Sequence, residues 1–114
     1  MRMIAVFLTF LLPTQALAFE PITNRDAFVN LLSDRALTRT GITLDVTPDG
    51  MIRGRAFGVR VSGEWQWRDG YFCRTLFHGP RDLGANCQLV QVNGNTLRFT
   101  LDKGAGDYAD LSLR

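Results

Sequence analysis

Ile42-Thr43-Leu44-Asp45-Val46-Thr47-Pro48-Asp49-Gly50-Met51-Ile52-Arg53-Gly54-Arg55-Ala56-Phe57 reads as two strands folded about a tight turn. Alternating residue character on both sides of Pro48-Asp49-Gly50 is the period-2 pattern of a sheet with one buried face. Proline's fixed φ suits the first corner of a type I turn, and glycine accepts the left-handed position that follows. Thr47 is therefore expected opposite Met51 across a three-residue loop. That register sets Val46 against Ile52 and Leu44 against Gly54 on one face, and Asp45 against Arg53 on the other. The apolar and charged sets separate cleanly, which points to an antiparallel β fold.

Toward the C-terminus the pattern continues. Val59, Val61, Gly63, Trp65 and Trp67 share one face of the next strand, and Arg60, Ser62, Glu64, Gln66 and Arg68 share the other. The Trp face is expected to be the buried one. Arg68-Asp69-Gly70 turns the chain, and a three-residue turn would place Trp67 opposite Tyr71, Trp65 opposite Cys73 and Glu64 opposite Arg74. A two-residue turn at Asp69-Gly70 would instead put Phe72 opposite Trp67 and Arg74 opposite Trp65. The first pairs charges and is preferred; the second stays open. Phe77 to Asn86, with Gly79, Pro80 and Gly84, reads as the longest loop. Asn93-Gly94 reads as a type I′ turn pairing Val90 with Leu97 and Val92 with Asn95. A final turn at Lys103 to Asp107 leads into Tyr108 to Leu113, whose Ala109, Leu111 and Leu113 share a face.

Toward the N-terminus, Thr23 reads as a helix N-cap with Asp26 three residues on, and Ala27, Phe28, Leu31 and Leu32 fall on one helical face. The helix is expected from about Asn24 to Asp34. The fold class is thus α+β: one N-terminal helix followed by a six- to seven-stranded antiparallel meander. So short a chain is expected to form a strongly curved sheet or small open barrel, the helix plugging one end or covering one face.

Met1 to Ala18 has the order of a cleavable secretory signal peptide: Arg2, an apolar run from Met3 to Leu12, then Ala16-Leu17-Ala18 before the cut. The run is about half the length a membrane span requires. Phe19 rather than Cys follows the cut, so a lipid anchor is not expected. The mature part, residues 19–114, reads as a single small β-rich domain and a monomer, destined for the periplasm or, alternatively, for extracellular release. Without Arg2 it has twelve Lys plus Arg against eleven Asp plus Glu, a formal charge of +1 that makes nucleic acid a poor partner. Cys73 and Cys87 are the only cysteines. In an oxidising compartment they read as one disulfide. A redox pair or a metal site with His78 are the rivals, but Cys-x-x-Cys is missing and the ligand set is thin.

The stretch Gly63-Glu64-Trp65-Gln66-Trp67-Arg68-Asp69-Gly70-Tyr71-Phe72-Cys73-Arg74, followed in order by Asn86-Cys87-Gln88-Leu89-Val90 and Leu97-Arg98-Phe99-Thr100, resembles a family of short, exported, uncharacterised alphaproteobacterial proteins. Some of these carry the label dihydrodipicolinate reductase. The resemblance implies an exported setting and brings no site residues. The label itself fails on chemistry: a dinucleotide site needs a strand, a Gly-rich turn and a helix in a large parallel sheet. Gly104-Ala105-Gly106 is the nearest match, lacks the third Gly and precedes a strand.

Catalytic patterns are equally sparse. His78 is the only histidine, so a Ser-His-Asp arrangement would rest on a loop residue. Asp49, Asp69 and Asp107 occupy turn positions where Asp has a backbone reason to be. Neither enzyme activity nor a cofactor or metal is expected. The leading expectation is a non-enzymatic binding or inhibitor-like module whose edge of Tyr71, Phe72, Phe77, His78 and Arg81 meets a protein or an anionic envelope component. The alternative is a small-ligand carrier with a cavity lined by Trp65, Trp67, Leu97 and Phe99. Against both, these aromatics could simply fill the core.

Overall fold

A computed structural model describes residues 18–114. Residues 1–17, which carry the expected signal peptide apart from its last residue, lie outside them. The described chain is mostly β. A two-residue strand β1 (Glu20–Pro21) precedes the single α-helix α1 (Arg25–Leu32). Then follow β2 (Leu37–Arg39), β3 (Ile42–Val46), β4 (Met51–Ala56), β5 (Val59–Arg68), β6 (Tyr71–His78), β7 (Arg81–Asn93), β8 (Thr96–Thr100) and β9 (Tyr108–Leu113).

Each strand from β2 to β8 pairs antiparallel with the next in sequence, and β9 returns to β2 through Leu37↔Leu113 and Thr38↔Ser112. The result is a closed eight-stranded barrel with β1 as an extra strand beside β7 at Val92 and Gln91. The sequence led us to expect six or seven strands in a strongly curved sheet or small open barrel, where the structure closes eight. The difference lies in Leu37–Arg39: three residues are too few for an alternation signal, yet they pair with β3 on one side and β9 on the other. Closure satisfies backbone groups that an open sheet would leave at its edges.

The Pro48-Asp49-Gly50 hairpin has the expected register: Val46↔Ile52, Asp45↔Arg53 and Leu44↔Gly54, with the Thr47 amide donating to the Met51 carbonyl at 2.9 Å. Three other expectations need correction. The β5–β6 hairpin uses the two-residue turn, with positive φ at both Asp69 (52°) and Gly70 (84°), so Trp67 faces Phe72 and Trp65 faces Arg74. Two successive left-handed residues follow the right-handed twist of the strands, and burying three aromatics on one face outweighs an exposed charge pair. The supposed loop Phe77 to Asn86 is instead the tip and return of a long hairpin through β6 and β7, turning at Gly79-Pro80. Gly79, at φ 58°, supplies the turn, and Pro80 follows at a position that donates no ladder bond. The β7–β8 turn is centred on Gly94-Asn95, with Val92↔Leu97 and Val90↔Phe99. Positive φ falls on Gly94 alone of the two, the pattern of a type II′ rather than a type I′ turn.

Helix α1 starts one residue later than expected. Asn24, extended at φ −141°, is the N-cap, its Oδ1 accepting from the Ala27 amide at 2.9 Å. The helix ends at Leu32, before Asp34 adopts φ 56°. Phe28 and Leu32 are its buried residues, and Phe28 is fully enclosed. Its ring meets Trp65 edge-on at 5.4 Å, stacks on Trp67 at 5.2 Å and touches Phe72 at 5.2 Å. The Arg25 guanidinium donates to the Pro48 carbonyl, which fixes α1 at the barrel end that holds the β3–β4 turn. The helix thus plugs one end, and aromatic packing worth about 0.5–1.5 kcal/mol per pair beyond area burial holds the plug.

Candidate functional site

Because the strands run up and down, the turns after β2, β4, β6 and β8 gather at the end opposite the helix. There the interior is not filled. A cavity of about 300 Å³ opens in the barrel, its depth formed by Leu37, Val46, Ile52, Phe72 and Phe99. Phe72 and Phe99, ring centres 5.5 Å apart, are also neighbours of Phe28, so they separate the cavity from the helix plug. Toward the mouth the wall comprises Leu44, Leu76, Leu101, Tyr108 and Ala109, interrupted by Arg74, Gln88 and Asp107. Eight strands make a barrel just wide enough to be filled by side chains or to hold one small ligand.

The backbone is irregular beside this mouth. Between Thr75↔Ala85 and Phe77↔Asp82 the register shifts, leaving Leu83 and Gly84 of β7 opposite Leu76 of β6. Gly84 takes φ 80° there, and its amide is held by the Asp82 carboxylate at 2.7 Å. Such a bulge twists the ribbon and re-aims neighbouring side chains. β8 accompanies β7 only from Leu89 to Asn93. Beyond that point Asn86 bridges the gap through its side chain, donating Nδ2–H to the Asp102 carboxylate at 2.8 Å and accepting from the Asp102 amide at 2.9 Å.

Arg74 is the charged group that the β5–β6 register turns into the barrel. Its Nη1 donates to the Gly84 carbonyl at 3.0 Å, and no ion pair engages it among the described residues. Burial pushes its pKa down from the ordinary guanidinium value, although arginine remains a cation at any physiological pH. Gln88 is buried on the same wall, opposite Phe72. Asp107, by contrast, is exposed.

The residues proposed from sequence are distributed otherwise. Tyr71 and His78 sit at opposite ends of β6, about 23 Å apart along an extended strand. Phe72 is buried inside the barrel, Phe77 and Arg81 are exposed, and His78 is hydrogen-bonded through Nε2 to the Ala56 carbonyl at 2.9 Å. The five therefore form no single edge. Trp65 and Trp67 pack on Phe28 at the plugged end instead of lining the cavity, Leu97 is fully buried, and Phe99 alone of that set borders the cavity. Cys73 and Cys87 are disulfide-bonded across β6 and β7. Arg74, Gln88, Leu76 and Tyr108 escaped the sequence reading, and the signal for Arg74 was the two-residue turn.

Comparison of the chain with protein-family models, with curated proteins and with solved structures finds no match.

Proposed function

We propose that this protein is a non-enzymatic carrier, exported to the periplasm, that holds one small and largely apolar ligand in the unplugged half of its barrel. The observation that carries this reading is the cavity of about 300 Å³ with its mostly apolar wall and few polar groups, the composition typical of ligand pockets. Larger side chains at Ala109 or Leu44 would fill the space, and the chain does not use them.

Calorimetric titration of the purified domain with decanol tests the reading. Saturable binding with one site, lost in Ala109→Trp while the thermal unfolding midpoint is kept or raised, supports it. Absence of saturable binding by any aliphatic alcohol from hexanol to dodecanol sinks it.

A further inference from the structure

Resting on the carrier reading, we propose that Arg74 makes the cavity selective for a single-chain aliphatic acid, whose carboxylate it receives while the chain lies against Val46, Ile52, Phe72 and Phe99. Four observations lead there. Arg74 borders a space whose remaining wall is mainly apolar, so its charge has lost part of its hydration without acquiring a counter-charge. One arm is anchored on the Gly84 carbonyl, in the bulge of β7, which leaves a planar fork fixed in direction with further N–H groups free to donate. Gln88, two strand positions from Asn86 and opposite Phe72, adds an amide on the same wall. The volume corresponds to about ten water-sized groups, hence to a chain of about eight to ten carbons.

An opposing charge on the cavity wall is Asp107, which is exposed. Water screens an exposed carboxylate, whereas a half-buried guanidinium acts through a lower dielectric, so the field inside the cavity favours an anion. Among the described residues one cation lines it, which matches a monoanion better than an alkyl phosphate carrying close to two charges at neutral pH.

The test compares decanoate, decanol and decyl phosphate by calorimetry at pH 7 in the wild-type domain and in Arg74→Met. Decanoate is expected to bind about tenfold or more tighter than decanol, the margin of a hydrogen bond to a charged group. Arg74→Met should abolish the preference for decanoate over decanol. Equal binding of decanoate and decanol by the wild type overturns the selectivity and leaves the carrier reading standing. Tighter binding of decyl phosphate overturns the carboxylate assignment, and absence of binding by all three overturns both readings. The wild-type ratio decides even if the variant fails to fold.

Discussion

Trp65 on β5 and Arg74 on β6 stand directly opposite each other, both on the inward face of the barrel. The pairing puts an indole and a guanidinium at the same level of the interior and sends them to different tasks. Trp65 joins Phe28 and the helix plug, and its Nε1–H donates to the Thr47 carbonyl at 2.9 Å. Arg74 borders the open half. A register one residue different would have turned Arg74 to solvent and Cys73 inward.

The two tryptophans should respond differently to loss of their N–H. Trp67 Nε1 is buried without an acceptor among the described residues, whereas Trp65 Nε1 has one. Both Trp→Phe changes shrink the aromatic cluster, but Trp65→Phe also removes one of the two donors to the Thr47 carbonyl, leaving the Gly50 amide at 3.1 Å, and Trp67→Phe removes an unmet donor. Trp65→Phe should therefore be the more destabilising by about 0.5–1.5 kcal/mol. Urea unfolding followed by far-UV circular dichroism measures this, and an equal or larger cost for Trp67→Phe would contradict it.

Gly63 should tolerate no side chain. A Cβ there would sit 2.2 Å from the Thr75 carbonyl oxygen, a backbone atom on the neighbouring strand. Relief requires β5 and β6 to separate, so Gly63→Ala should cost about 1–3 kcal/mol in the same unfolding assay. Gly58, at the β4–β5 turn with φ 78° and open space around it, pays only for its backbone conformation. Gly58→Ala should thus be the milder change, at about 1 kcal/mol.

Which parts of this were readable depended on how local the determinant was. The Pro48-Asp49-Gly50 hairpin needs only its own turn residues and the alternation around them, and every pair expected there is present. The shared face of Ala109, Leu111 and Leu113 likewise follows from period two, and it pairs with Phe99 and Leu97. The Asp69-Gly70 turn was ambiguous because either register gave a sensible set of pairs. What selected between them was Phe28, forty residues upstream, which needs Trp65, Trp67 and Phe72 on one face. Barrel closure was invisible for the same reason, since Leu37 becomes a strand residue only by meeting Leu44 and Leu113. The cavity is lined from seven strands, every barrel strand but β5, so no window of sequence announces it.

Replacing both Cys73 and Cys87 by Ala should lower stability by about 3 kcal/mol, the chain-entropy contribution of a loop of this size. The loss should not be uniform. From Arg81 to Gln88, β7 pairs with β6 and has no β8 partner, so the bridge fastens the half of β7 that the barrel holds least. Amide hydrogen exchange should accelerate most over residues 74–88. Acceleration spread evenly over β2 to β5 as well would contradict that placement.

Asp110 should titrate below the ordinary carboxylate range. Arg98 donates to it twice, Nε–H at 2.8 Å and Nη2–H at 3.1 Å, and that hydrogen bonding is the main cause of the lowered pKa. Desolvation, next in size, opposes it, and the Coulombic pull of Arg98, and then of Arg39, adds to the lowering. The guanidinium is itself held between the rings of Phe19 and Tyr108, 3.9 and 4.0 Å from their centres, which fixes the fork in front of the carboxylate. A carboxylate whose folded pKa is depressed contributes stability that is fully present above its unfolded value, about 3.9. That contribution is lost as pH falls through the lower folded value. The acid limb of the stability curve should therefore contain an Asp110 component beginning below about pH 4, and Asp110→Asn should remove it. Carbon-13 titration of the side-chain carboxyl should give a depressed midpoint in the wild type. Arg98→Met should return that midpoint to the ordinary range. Phe19→Ala, which loosens the stack but keeps both hydrogen-bond partners, should leave it depressed. An ordinary midpoint in the wild type would mean that the bidentate pair does not persist in solution.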